Sequence, residues 1–337
     1  MPRFLSRLPI DRYLLALIGM VVLAAVLPAR GEAAVVMGWV VKAAIALLFF
    51  LYGARMSPAA IGAGLLHWRL QGTVFLSTFL LFPLLGLGLV FLMHGSLQPD
   101  LLTGMLYLCL LPSTVQSSIA FTSIAGGNVA GALTSASLSN LLGVIVTPLL
   151  VALLIGGASG GGIHLQSILD IGLQILAPFA VGQLFRPLLK DVLGRHAKLT
   201  SLVDRGSILL IVYAAFSEGV VAGVWSQVAP LDLAKVIGLN VVLLTVVLGL
   251  TLVIGRALKF DRPDRIVILF CGSKKSMATG IPMAGILFAG QAVPLIVLPI
   301  MLFHQIQLFA CTLIAQRYAR EAAAMAADEP VLSPDRP

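Results

Sequence analysis

The chain has 337 residues, 59% of them hydrophobic and only 11% charged, with mean hydropathy +1.04. That balance excludes an ordinary soluble globular domain; apolar runs of about 20 residues mean membrane spans. The net charge of +8 does not signal nucleic acid, because the basic residues lie mostly in short segments between apolar runs, where they set membrane orientation.

Ten apolar segments follow one another along the chain: 13–28, 35–53, 72–92, 101–124, 128–155, 167–186, 206–223, 233–255, 265–288 and 292–316. The first follows Arg3 and Arg7 and has the outline of a signal peptide. It is read as a span, because losing it would spoil the charge pattern. With the N-terminus in the cytoplasm, 17 of the 22 Lys and Arg residues fall in cytoplasmic segments and only Arg30 falls opposite. The expectation is a protein of the inner membrane, seated in the lipid bilayer with both ends cytoplasmic. Cys109, Cys271 and Cys311 fall within apolar segments without metal-ligand spacing and read as buried thiols.

The Gly-rich stretch at 156–166 follows five spans. Five is odd, so a second set of five enters from the opposite side and the halves form an inverted repeat. The expected organisation is a first five-helix repeat at 1–155, a linker at 156–166, a second repeat at 167–316 and a disordered cytoplasmic tail at 317–337. A basic loop is expected at 187–205. Short matches support the repeat: Gln116-Ser-Ser-Ile-Ala with Lys274-Lys-Ser-Met-Ala, and Ala125-Gly-Gly-Asn-Val with Ala289-Gly-Gln-Ala-Val.

Spans four and nine carry helix-breaking sequence at mid-membrane. Span four has Pro112 followed by Ser113, Thr114, Gln116, Ser117 and Ser118; span nine has Gly272, Ser273, Lys274, Lys275 and Ser276. Irregular backbone at that depth is tolerated only where it is buried in protein or lines a cavity, and interrupted spans in matching halves point to a binding site. Each break frees backbone N–H groups that favour an anion.

Leu111-Pro112 with the polar run to Ser118, Gly127-Asn-Val-Ala130, the hydroxyl-rich Thr134-Ser-Ala-Ser-Leu-Ser139 and Thr147-Pro148 resemble the bile acid:sodium symporter family, in its divergent sodium-bile-acid-symporter-like branch. The resemblance implies an all-α membrane fold with spans four and nine unwound and crossing at the centre of a core domain. Spans three, five, eight and ten would surround them, and spans one, two, six and seven would form a panel. It also implies an organic anion as substrate, usually carried with sodium. Relatives of that kind hold sodium with an acidic residue and a Gln-Asn pair in span nine, where this chain has Gly272-Ser-Lys-Lys-Ser276. Two ammonium groups oppose a hard cation that needs an oxygen cage. Sodium coupling is thus in doubt, and proton-coupled or uncoupled transport is open.

An intramembrane charge costs roughly 2.5–3.5 kcal/mol on insertion scales, so adjacent lysines need a reason. Snorkelling is strained, since they lie about ten residues, roughly 15 Å, beyond Arg265. One ammonium is expected to meet the unsatisfied carbonyls that end the first half-helix, in place of the cation. The other faces the cavity and pairs with a carboxylate, sulfate or phosphate. Further candidates for the substrate or ion site are Asn128, Asn140 and the span-ten patch of His304, Gln305 and Gln307. Lys42 and Glu218 occupy equivalent spans of the two halves, and an ion pair between them is expected.

No His-Glu-x-x-His, Gly-x-Ser-x-Gly or phosphate-cradling loop occurs, so the chain is not read as an enzyme. The reading is a secondary transporter of a small organic anion working by alternating access, without cofactor, with sodium or a proton as coupling ion. The alternative is a non-transporting solute sensor or regulator of another membrane protein. The oligomeric state is not legible.

Overall fold

A computed structural model describes residues 12–55, 67–156, 165–223 and 228–328. Every regular element among them is helical. In chain order they are α1 (Arg12–Val26), α2 (Glu32–Arg55), α3 (Trp68–Leu76), a π turn (Ser77–Leu81), α4 (Phe82–Met93), α5 (Pro99–Leu110), α6 (Gln116–Ile124), α7 (Val129–Val151), a second π segment (Ala152–Gly156), α8 (Leu165–Arg195), α9 (Ala197–Val221), α10 (Pro230–Ala257), α11 (Arg262–Gly272), α12 (Met277–Leu287) and α13 (Val293–Asp328). Among the described residues, six helical stretches are long and apolar enough to cross a membrane.

The molecule presents apolar side chains outward and encloses a small set of polar groups in an otherwise apolar interior. Large hydrophobic side chains such as Val26 (79% exposed) and Phe91 (83%) cover the surface, while Lys274 and Lys275 are fully buried.

Two packing groups account for the architecture. Helices α1, α2, α8 and α9 lie against one another, and the remaining helices surround the pairs α5/α6 and α11/α12; α8 bridges the groups by touching α7 and α12, and α9 by touching α12 and α13. Glycine sets the closest approaches. A Cβ on Gly53 would overlap the carbonyl oxygen of Phe179, and one on Gly182 the carbonyl oxygen of Phe50, so α2 and α8 meet backbone to backbone at two reciprocal points. Gly104 of α5 sits in the same way against the Ile296 carbonyl of α13.

Two sequence expectations fail at this level. The basic stretch 187–205 is not a loop: α8 continues to Arg195 and α9 begins at Ala197, leaving only His196 between them. Leu188, Leu189, Val192 and Leu193 alternate there with charged residues, a helical amphipathic pattern. The tail is helical through Asp328, supported by Ala-rich sequence and an Arg317–Glu321 pair at 2.9 Å. Residues 157–164 of the Gly-rich linker and 329–337 of the tail lie outside the described residues.

Candidate functional site: two helix breaks and two buried lysines

Proline and hydroxyl side chains open the first break. Pro112 has no N–H to donate, and α5 ends at Leu110 with α6 starting only at Gln116. The last carbonyls of α5 are therefore orphaned. Leu110 is met by Thr147 Oγ1 (2.8 Å), and Pro112 by the N–H of Ser276 (2.8 Å). The N–H of Ser113, which would have closed the turn onto Cys109, donates instead to Ser139 Oγ (3.0 Å).

The second break, 273–276, separates α11 from α12. Ser273 Oγ turns back onto the Leu269 carbonyl. Ser276 caps α12 by accepting from the Thr279 N–H (3.3 Å) and sits 3.0 Å from the Thr279 hydroxyl, which reaches Asn140 Oδ1 at 2.9 Å. The two breaks touch, with Ser276 on Pro112 and Ser118 Oγ on the Phe270 carbonyl (3.2 Å). Part of each break is thus satisfied by the other pair, and the rest by α7 and by local hydroxyls.

Lys275 completes that exchange. Its Nζ donates to the carbonyls of Thr78 (2.8 Å), Cys109 (2.8 Å) and Leu111 (2.6 Å), and lies 4.1 Å from the centre of the Phe82 ring. Thr78 contributes because of the π turn. The Phe82 N–H bonds Ser77, and Pro83, five residues after Thr78, has no N–H to offer. The Lys275 peptide is itself gripped by Gln307, whose Oε1 accepts the N–H (3.0 Å) and whose Nε2 donates to the C=O (3.0 Å), with His304 Nδ1 2.9 Å from Nε2.

Lys274 is held differently. Its Nζ lies 3.9 Å from the Phe121 ring centre and 5.6 Å from that of Phe270, with a single long hydrogen bond to Ser117 Oγ (3.4 Å). Ser117 and Ser118 both meet Thr114 Oγ1, at 2.9 and 3.0 Å. A hydroxyl chain thus runs from Lys274 to the Phe270 carbonyl. No carboxylate is paired with either lysine among the described residues. Ser113 Oγ is buried without a partner beside this chain.

The structure therefore brings together Pro112, Ser113, Thr114, Ser117, Ser118, Asn140, Gly272, Ser273, Lys274, Lys275, Ser276 and His304. It leaves out Gln116, which is exposed, and Gln305, which bonds none of these groups. Asn128 lies at the far end of α11: it caps α7 through the Gly131 N–H (2.8 Å) and donates to Asp264 Oδ1 (2.8 Å). The expected pair of Lys42 and Glu218 does not form. Both are exposed, and Lys42 folds over Trp39 of its own helix at 4.9 Å. Ser139, from the hydroxyl-rich run of the sequence, enters the site through the Ser113 N–H, whereas Thr78, Thr279 and Phe121 enter it without having been singled out in the sequence.

The model of the SBF-like CPA transporter family matches residues 11–320. The chain belongs to this family. Across the family's relatives, "Uncharacterized protein PA2026" of Pseudomonas aeruginosa is 52% identical over 98% of both chains. "Putative symporter YfeH" of Escherichia coli is 47% identical over 95% of this chain and 96% of its own. "Sodium/bile acid cotransporter 7" of Rattus norvegicus is 30% identical over 79% of this chain and 78% of its own. As a member of the SBF-like CPA transporter family the protein is an integral membrane protein of transporter type, not an enzyme.

Proposed function

We propose that this protein is a secondary transporter of a small organic anion, bound where the two helix breaks meet. The carrying observation is Lys274: a fully buried ammonium with one hydrogen bond of 3.4 Å and, among the described residues, no carboxylate partner. A group in that condition is under-satisfied, and a carboxylate, sulfate or phosphate is what would complete it. Ser117, Ser118 and Thr114 supply hydroxyls beside it, and the start of α6, which has no side-chain cap, supplies helix N-terminal N–H groups.

In this reading the chain has ten spans, with broken spans four and nine crossing at the membrane centre. They form two inverted five-helix repeats, at 1–155 and 167–316, in the inner membrane with both termini cytoplasmic. The helices around the breaks form the core, and α1, α2, α8 and α9 the panel. Burial of Lys274 makes the described state a closed one, so the core must shift against the panel to admit solute. Sodium and bile acid are named for the rat relative; for this chain the substrate class is organic anion, with proton-coupled or uncoupled movement.

The test is uptake of labelled carboxylates, sulfates and organic phosphates into proteoliposomes, with sodium replaced by choline, for wild type and Lys274→Met. Saturable uptake by the wild type alone supports the reading. A ligand that binds but never crosses turns the site into that of a solute sensor. Equal uptake by Lys274→Met rejects Lys274 as the anion-binding charge.

A further inference from the structure

We infer that the carbonyls of Thr78, Cys109 and Leu111 form a monovalent-cation site that the chain fills with its own Lys275 ammonium. Three backbone oxygens at 2.6–2.8 Å converge on one point from two elements that are remote in sequence. Convergent carbonyls replacing a hydration shell are how proteins hold alkali cations. The face of Phe82 at 4.1 Å adds a further cation-favouring wall.

None of the three oxygens has a cheap alternative partner. The Thr78 carbonyl lost its donor to the π turn and Pro83, the Cys109 carbonyl lost the Ser113 N–H to Ser139, and Leu111 stands at the break itself. The peptide of Lys275 is fixed independently by Gln307, so truncating the side chain need not move the cage. Removing the ammonium leaves three buried carbonyls unsatisfied and vacates a four-carbon stem, whose space admits the waters that would complete a cation's shell. The inference does not depend on Lys274 or on what is transported. It implies that the wild type needs no external cation at this point and that a truncated variant acquires that need.

The experiment is thermal unfolding of purified wild type, Lys275→Ala and Lys275→Ser in detergent. Sodium, potassium or methylammonium chloride is exchanged against choline chloride at constant ionic strength. The wild type is expected to melt at the same temperature throughout. Both variants are expected to melt lower in choline and to recover several degrees, saturably, in sodium or methylammonium. Lys275→Ser should respond at lower concentration, because its hydroxyl supplies another oxygen. The inference is overturned if neither variant responds to any small cation beyond choline, or if the wild type shows the same sodium response as the variants. Variants that stay unfolded in every salt overturn it equally, because a cation able to stand in for the ammonium must restore the fold.

Discussion

Gln307 clasps the peptide of Lys275, its amide accepting the lysine N–H and donating to the lysine C=O, both at 3.0 Å. A chain segment without helical hydrogen bonds is thereby given the partners a sheet neighbour would supply. Gln307→Leu removes both bonds at similar volume and orphans two buried peptide groups. The expected loss is about 3 kcal/mol, read as a lower melting temperature. An unchanged melt would show that the break is held by other contacts.

Lys274 and stability should part company. Its cation–π contact is worth about 0.5–2 kcal/mol, less than the several kcal/mol that burying an ammonium costs. Lys274→Met should therefore melt no lower than the wild type, yet bind a transported anion at least tenfold more weakly, about 1.4 kcal/mol. Isothermal titration alongside the melt separates the two effects; loss of both together would mark Lys274 as structural.

Within α6, neighbours should differ sharply. Ser118→Ala gives up the hydroxyl that reaches the Phe270 carbonyl and should cost about 1 kcal/mol. Gln116→Ala, at an exposed position, should stay within about 0.5 kcal/mol. Chemical denaturation of the two variants in the same detergent compares them directly.

The breaks were legible because their causes are side chains: Pro112, Gly272 and polar residues at membrane depth have few other uses. Helical rise argued against snorkelling, and both lysines are buried within the protein. Much of what surrounds them was not legible, since the cage is made of backbone oxygens that leave no mark in residue identity. Pro112 marked the carbonyls that end α5, and Pro83, five positions after Thr78, was the one hint of the third. On α13 the choice between Gln305 and Gln307 turns on helical phase, which an apolar helix with polar residues at 304, 305 and 307 does not define. Asn128 had a second use as a helix cap, and Lys42 and Glu218 matched in position along the chain without facing each other.

Asn128 offers a control far from the lysines. Asn128→Ala removes the α7 cap and the bond to Asp264, for an expected loss of about 1–2 kcal/mol. Anion affinity should stay as in the wild type. A tenfold weaker affinity would restore Asn128 to the binding site.

Gly182→Ala places a methyl group on the Phe50 carbonyl oxygen, a backbone atom that cannot swing aside as a side-chain end can. The variant should fail to fold, or lose more than about 4 kcal/mol, whereas Gly238→Ala, with open space around its Cβ position, should be stabilised or unchanged. Size-exclusion profiles of the two would show it.

The reciprocal glycines have a mechanical corollary. Two backbones in direct contact at Gly53 and Gly182 cannot slide along each other without a carbonyl colliding with the opposite chain, so α2 and α8 form a splint. Gly104 against Ile296 welds α5 to α13 in the same manner. Any lubricated plane among the described helices must then run between these two splints, where α8 meets α7 and α12, α9 meets α12 and α13, and the Tyr52 hydroxyl stands 3.5 Å from the Ala278 carbonyl. If the proposed shift of core against panel carries solute, a wedge driven into that plane would block transport while leaving the carbonyls around Lys275 intact.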